Sequence, residues 1–250
     1  MRPLIFFLLL FTCIMTAGQS GPVKKISLTD AISVAIRNNA DLKTDHDKVV
    51  KSEVKKAYFD LIYRLNRIKA LQMQADLLHD LERVANLKYL AGEIDLLEKT
   101  ALIYRYTGIK TSLAVMHDEV TISGNQLKNL LFISDDLMPA DSILSMYVLQ
   151  KDNATSPGSD SGLMADRVNK TEKLALELNQ YFKQLQYYSQ VALVHADLIL
   201  EISRIRFEKE DIDYVEYTGD IDEAFRIKSE YLMVLNNYNQ TAIELEFYAY

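Results

Sequence analysis

His79 and Glu82 stand about one helical turn apart, the spacing at which two side chains on one helix face can share a metal ion. The chain's four histidines are otherwise scattered, and one such pair among this many charges is expected by chance, so no metal site is assigned. His195 falls on an apolar seam and reads as a packed core residue, as do the Met and Tyr side chains along the seams. No P-loop, Gly-rich dinucleotide turn, nucleophile elbow or zincin helix is found, so no catalytic residue and no cofactor site is proposed from sequence. Asn153-Ala154-Thr155, Asn169-Lys170-Thr171 and Asn239-Gln240-Thr241 match glycosylation sequons and are read as coincidence.

What remains is architecture. The 250 residues are 49% apolar, enough for a real core, yet hold only 8 Gly and 4 Pro, which favours long helices over short connected strands. The net charge of -7, with no dense Lys/Arg stretch, argues against a nucleic-acid partner. Residues 1–20, with Arg2, an apolar run from Leu4 to Met15 and the small Thr16, Ala17 and Gly18, read as a secretory signal peptide cleaved near Gly18 or Ser20. Cys13, the one cysteine, has Leu10 three residues before it, but bulky Phe11 and Thr12 disfavour lipidation. No later stretch approaches the roughly 20 apolar residues of a membrane helix.

Ser27-Leu28-Thr29-Asp30 is a helix start, with Leu28, Ala31, Ile32, Ala35 and Ile36 on one face and Asn38-Asn39 at its close. From about Val49 a coiled-coil seam runs through Val54, Tyr58, Leu61, Leu65, Ile68 and Ala75. Ala91-Gly92-Glu93 then supplies a tight turn. A second seam follows through Tyr106, Ile109, Leu113, Met116, Val120, Ser123, Leu127 and Leu130, antiparallel to the first. Residues 134–162 read as a linker, with a short helix expected between Pro139 and Gln150. The third seam is Leu174, Leu178, Tyr181, Leu185, Tyr188, Ala192, His195, Ile199 and Ile202; the fourth is Ala224, Ile227, Tyr231, Val234, Tyr238, Thr241 and Leu245.

A shift of 118 residues lays the second seam on the fourth without a gap, and over residues 89–130 it gives eight identities. These include the polar positions Asp95 with Asp213, Glu98 with Glu216 and Lys110 with Lys228, which a shared heptad alone does not explain. The chain is thus read as all-α: two tandem long antiparallel helical hairpins of the coiled-coil α-barrel type, with a short N-terminal helix and a central linker. The first repeat is placed at 21–133 with its tip near 91–93, the second at 163–250 with its tip near 209–211. That second tip, Lys209-Glu210-Asp211, lacks the glycine and is expected to be wider or less ordered.

Ile26-Ser27-Leu28-Thr29-Asp30-Ala31 through Asn38-Asn39-Ala40-Asp41-Leu42 is similar to the opening helix of TolC-family outer-membrane efflux proteins. Val54-Lys55-Lys56-Ala57-Tyr58-Phe59-Asp60-Leu61 resembles the start of their first channel helix, and Leu87 through Asp95 their periplasmic tip. Asp211 through Tyr217, with Ile227-Lys228, Tyr231-Leu232, Asn237 through Gln240 and Glu244-Leu245-Glu246, looks like the heavy-metal branch that serves pumps of the resistance-nodulation-division class. The resemblance implies a homotrimer forming a tapered periplasmic tunnel, which docks by Ala91, Gly92, Glu93, Lys209, Glu210 and Asp211 onto a periplasmic adaptor, a membrane fusion protein, and an inner-membrane pump. It also implies a pore constriction at Glu98 and Glu216, six carboxylates in a trimer; the alternative is two exposed helix-start carboxylates favoured by the N-terminal dipole. Family members insert two strand pairs where this chain has about a dozen residues each, between Leu42 and Val54 and between Gly162 and Leu174, too few for two spanning strands each. Two readings stay open: a channel subunit of a tripartite efflux pump exporting cations, heavy metals or drugs, and a soluble periplasmic coiled-coil protein derived from one after loss of its membrane strands.

Overall fold

The computed structural model describes residues 24–39, 44–150 and 161–249; the segment expected to be a signal peptide, with Cys13, lies outside them. Helix α1 (Leu28–Asn38) begins where Ser27 Oγ accepts the Asp30 amide at 3.1 Å, and it buries Ala31 and Ala35. Helix α2 (Thr44–Ala91, 48 residues) extends about 72 Å at 1.5 Å per residue. It returns as α3 (Leu96–Leu131), and the two pack along the expected seam, with Val54, Tyr58, Leu61 and Ala75 of α2 and Met116, Ser123 and Leu127 of α3 buried. The second hairpin consists of α4 (Ser161–Tyr187), a π-helical turn (Tyr188–Ala192), α5 (Leu193–Glu208) and α6 (Tyr214–Ala249).

The chain is almost entirely helical and elongated. Its long helices lie in the order α3, α2, α6, α4–α5, with α3 also leaning on α6, so α6 is packed on several sides while α3 and α4–α5 stand at the ends of the row. That placement shows in the sequence: α6 buries residues around most of its circumference, from Tyr214 and Ile221 to Leu235, Ile243 and Glu246. Two cores result. One near the tips joins Leu78, Ala85, Leu102, Ile212, Ile221 and Phe225; the other, at the root, joins Tyr58, Ile62, Leu127, Leu131, Leu235 and Ile243.

Two features depart from the sequence expectations. No helix forms between Pro139 and Gln150: β2 (Leu137–Pro139) pairs in parallel with β1 (Lys24–Ile26), and residues 140–150 continue as an extended strap. The strap turns Leu144 and Tyr147 into the root core, and side chains satisfy its backbone. Asn239 accepts the Tyr147 amide at 2.7 Å and donates to the Ser145 carbonyl at 2.8 Å, and Lys69 donates to the Ser142 carbonyl at 2.7 Å. Asn239 is fully buried, which rules it out as a glycan acceptor in the folded chain. His195 is exposed rather than packed, and so is Ile202; Ala196 and Ser203 are buried instead. The π-helical turn is the physical reason, because an extra residue in one turn rotates everything after it by about one position.

At the root, Lys55 and Glu246 form a buried ion pair between α2 and α6. Tyr147 also donates its hydroxyl to Glu246 at 2.6 Å, and the Gln150 amide does so at 3.3 Å. Tyr58, fully buried, donates to Asp141 at 2.7 Å and to the Ile26 carbonyl at 3.1 Å; burial, then Asp141, pushes its hydroxyl above the ordinary tyrosine range. Removing one member of a buried pair leaves the other charge uncompensated, at about 3–5 kcal/mol. Lys55→Met is therefore expected to lower the urea midpoint by a shift equivalent to about 3 kcal/mol, and Lys55→Met with Glu246→Leu to lose less. Urea titration followed by circular dichroism checks both; a single variant as stable as the parent contradicts the clasp's role.

Candidate functional site: the hairpin tips

The two tips are built alike although their residues differ. At the first, α2 ends with Gly92 at φ +75°; the Gly92 amide bonds the Tyr89 carbonyl at 3.1 Å and the Glu93 amide bonds the Lys88 carbonyl at 2.9 Å. At the second, Glu210 takes φ +59°, its amide bonds the Phe207 carbonyl at 3.0 Å, and the Asp211 amide bonds the Arg206 carbonyl at 2.9 Å. Every one of these positions is related by the same 118-residue shift. The second turn is therefore as tight as the first, against the expectation of a wider one, and it holds a side-chain-bearing residue in the left-handed region.

The helices that leave the tips also start alike. Asp95 caps α3 by accepting the Glu98 amide at 2.9 Å, and Glu98 returns to the Asp95 amide at 3.2 Å, a capping box. Asp213 accepts the Glu216 amide at 2.8 Å, but the Glu216 carboxylate turns instead to Arg206 at 2.9 Å. Both carboxylates are thus engaged within the chain, Glu98 at the start of α3 and Glu216 with Arg206. Burial, then Glu98 and Glu93, pushes the Tyr214 hydroxyl up, and that hydroxyl is buried without a hydrogen-bond partner. Between the tips the one ion pair among the described residues is Lys88 with Glu210, at 3.9 Å.

The surfaces of the tips contrast. The first exposes Leu87, Leu90, Leu96 and Leu97 by 61, 80, 61 and 72%. At the same places the second has Ile205, Glu208, buried Tyr214 and Val215, beside exposed Lys209, Glu210 and Asp211. The first tip is therefore an apolar knob and the second a charged one. Sequence reasoning placed both turns but passed over this contrast, although the four leucines were legible by position. His79 and Glu82 do not converge: His79 lies 5.5 Å from the Tyr106 ring and Glu82 accepts from Asn86 at 2.5 Å. Among the described residues no group of three His, Cys, Asp or Glu side chains is placed to hold a metal.

A Cβ at position 92 would meet no atom within 4 Å, so the cost of a side chain there is the backbone's alone. Gly92→Val is expected to destabilise the chain by about 1–2 kcal/mol. Glu210→Gly relieves the same strain but frees the unfolded chain, for a net gain of roughly 0.5 kcal/mol. Urea midpoints of the two variants check this; opposite signs would mean that the left-handed turns carry no strain.

No family model matches the chain, and no curated protein matches it. Its fold is similar to that of a crystal structure of CusC, solved in connection with conformational changes accompanying folding and transmembrane channel formation. The TM-score is 0.64 at 11% identity, covering 88% of this chain and 74% of that one. At so low an identity the likeness establishes the fold alone.

Proposed function

We propose that this chain is an exported, non-enzymatic periplasmic module, derived from an efflux channel, that acts as a binding or structural element without membrane strands of its own. One observation carries the reading. Helix α2 begins at Thr44 and helix α4 at Ser161, so only residues 39–43 lie between α1 and α2 and residues 151–160 between the strap and α4. A pair of transmembrane strands needs about 9–11 residues per strand, more than either interval provides. The tips are its docking elements: Ala91-Gly92-Glu93, with its leucines, and Lys209-Glu210-Asp211 would meet a periplasmic adaptor attached to an inner-membrane pump.

The second reading, a trimeric outer-membrane channel subunit for cation, heavy-metal or drug export, is favoured by the likeness to CusC and by the paired tips. In that reading Glu98 and Glu216 would form the constriction, and their engagement within the chain would have to yield to it.

Cell fractionation separates the readings. Recovery of the mature chain in osmotic-shock fluid is expected; a heat-modifiable trimer in the outer-membrane fraction supports the channel instead. Photocrosslinking from position 90 is expected to capture an adaptor more efficiently than from position 208, and equal silence from both would remove the docking role.

A further inference from the structure

The chain carries a net charge of -7, yet one pocket at its root is lined mainly by cations. Lys48, Lys51, Ser52 and Lys55 of α2 surround it with Ile243, Glu246 and Phe247 of α6. The lysines follow one another by three and then four residues, so they share one face of α2. Like charges on one face repel, and the arrangement is no property of the repeat: 118 residues on, α4 has Asp166 and Asn169 in place of Lys48 and Lys51.

The pocket's single acid is already committed. One oxygen of Glu246 holds Lys55, and the other accepts from the Tyr147 hydroxyl and the Gln150 amide. Among the described residues no carboxylate meets Lys51: Asp47, one turn before it, stands at a spacing that allows an ion pair and forms none. Ser52 is 9% exposed, and among the described residues its hydroxyl has no hydrogen-bond partner, whereas polar groups so deeply buried ordinarily have one. Ser52 also borders a second pocket, with Glu53, Lys56, Glu244 and Tyr248. There the charges close among themselves, because Glu244 pairs with both Lys56 and Lys170, at 3.5 and 2.8 Å. Of the two pockets, only the one beside Lys51 has cations in excess.

We infer that this pocket binds a phosphate group, with Lys48 and Lys51 supplying charge, the Ser52 hydroxyl donating a hydrogen bond, and Ile243 and Phe247 forming an apolar wall for whatever the phosphate is esterified to. A phosphate carries one or two negative charges on oxygens that each accept hydrogen bonds, which suits two ammonium groups and a hydroxyl; a carboxylate brings a single charge on two oxygens. Two sources share that chemistry, a phospholipid headgroup and a soluble phosphate ester. Attachment to headgroups through lysines is released by salt, whereas a spanning barrel is not, so it is separable from the channel reading. The inference makes no use of the docking role of the tips.

The test titrates the mature chain with inorganic phosphate in a calorimeter and sediments it with vesicles of phosphatidylglycerol or of phosphatidylcholine. Saturable phosphate binding is expected, or sedimentation with phosphatidylglycerol vesicles that phosphatidylcholine does not support, or both. Sedimentation without binding of free phosphate assigns the headgroup as the source; binding of free phosphate without sedimentation assigns a soluble ester. Lys51→Gln is expected to weaken whichever is seen by at least about 10-fold, the scale of one charge-assisted hydrogen bond, and Ser52→Ala to weaken it less, with helix content unchanged. Lys170→Gln, which removes a lysine held by Glu244 outside the pocket, should bind as the parent does. Binding of neither probe, an equal loss in Lys51→Gln and Lys170→Gln, or acetate bound as tightly as phosphate would overturn the proposal.

Discussion

Everything in this molecule is organised around α6, and α6 is held in register at the root by one buried carboxylate. Glu246 is reached from three directions: by Lys55 of α2, by the Tyr147 hydroxyl and by the Gln150 amide of the strap. A charge pair withdrawn from water has a desolvation penalty that its mutual attraction offsets only when the remaining lone pairs are also bonded. Here they are, so the pair specifies position without leaving an orphan. An apolar seam permits slippage by a heptad, because Leu and Ile positions look alike at every repeat. Lys55–Glu246, Gln74–Asp222 and Arg105–Asp222 do not, and they fix how far α6 slides along α2 and α3.

The strap shows the same principle applied to an irregular segment. An extended chain lying on a helix has no ladder partner, and its buried amides and carbonyls would each be left unsatisfied at a penalty of about 1–3 kcal/mol. Asn239 solves this with its two amide atoms, one accepting from the strap and one donating to it. Phe59 and Tyr147 meet edge to face at 5.5 Å beneath it. Side chains of both hairpins hold the strap, so the connection between repeats also braces them.

Much of this was legible in the sequence because the physics is periodic. The seams through Val54, Tyr58 and Leu61 and through Met116, Ser123 and Leu127 follow from a spacing of three and four, and the first tip follows from Gly92. What escaped was aperiodic. The π-helical turn at 188–192 has no composition signal in Tyr-Ser-Gln-Val-Ala, and it moved the buried set from His195 and Ile202 to Ala196 and Ser203. Leu144 and Tyr147 are buried by a segment that looks like a linker, since two apolar residues three apart predict a helix as readily as a strap. At the second tip Glu210 does the work of a glycine because the bonds on either side, at Phe207 and Arg206, and the cap at Asp213 leave the chain no wider path. Local preference there is overruled by closure of the hairpin.

The tips carry this argument furthest, because they share a backbone arrangement but not a surface. Both turns have the same hydrogen bonds, and both following helices begin with Asp and then Glu three residues later. The shared frame constrains backbone atoms, and only side chains pointing away from it are free to change. Leu90 and Glu208 occupy one such position, Leu96 and Tyr214 another, and in each case the first repeat shows an apolar group to solvent where the second shows charge or buries a ring in the core. A leucine 80% exposed at a rigid apex gains nothing for the fold of the isolated chain. Leu87, Leu96 and Leu97 flank the same turn and are also exposed, by 61, 61 and 72%. The second tip, tied to Lys88 and folded over Phe207, is by contrast engaged with its own chain. The two tips thus differ in what they expose: the second ties its side chains into the bundle, and the first leaves its leucines to solvent.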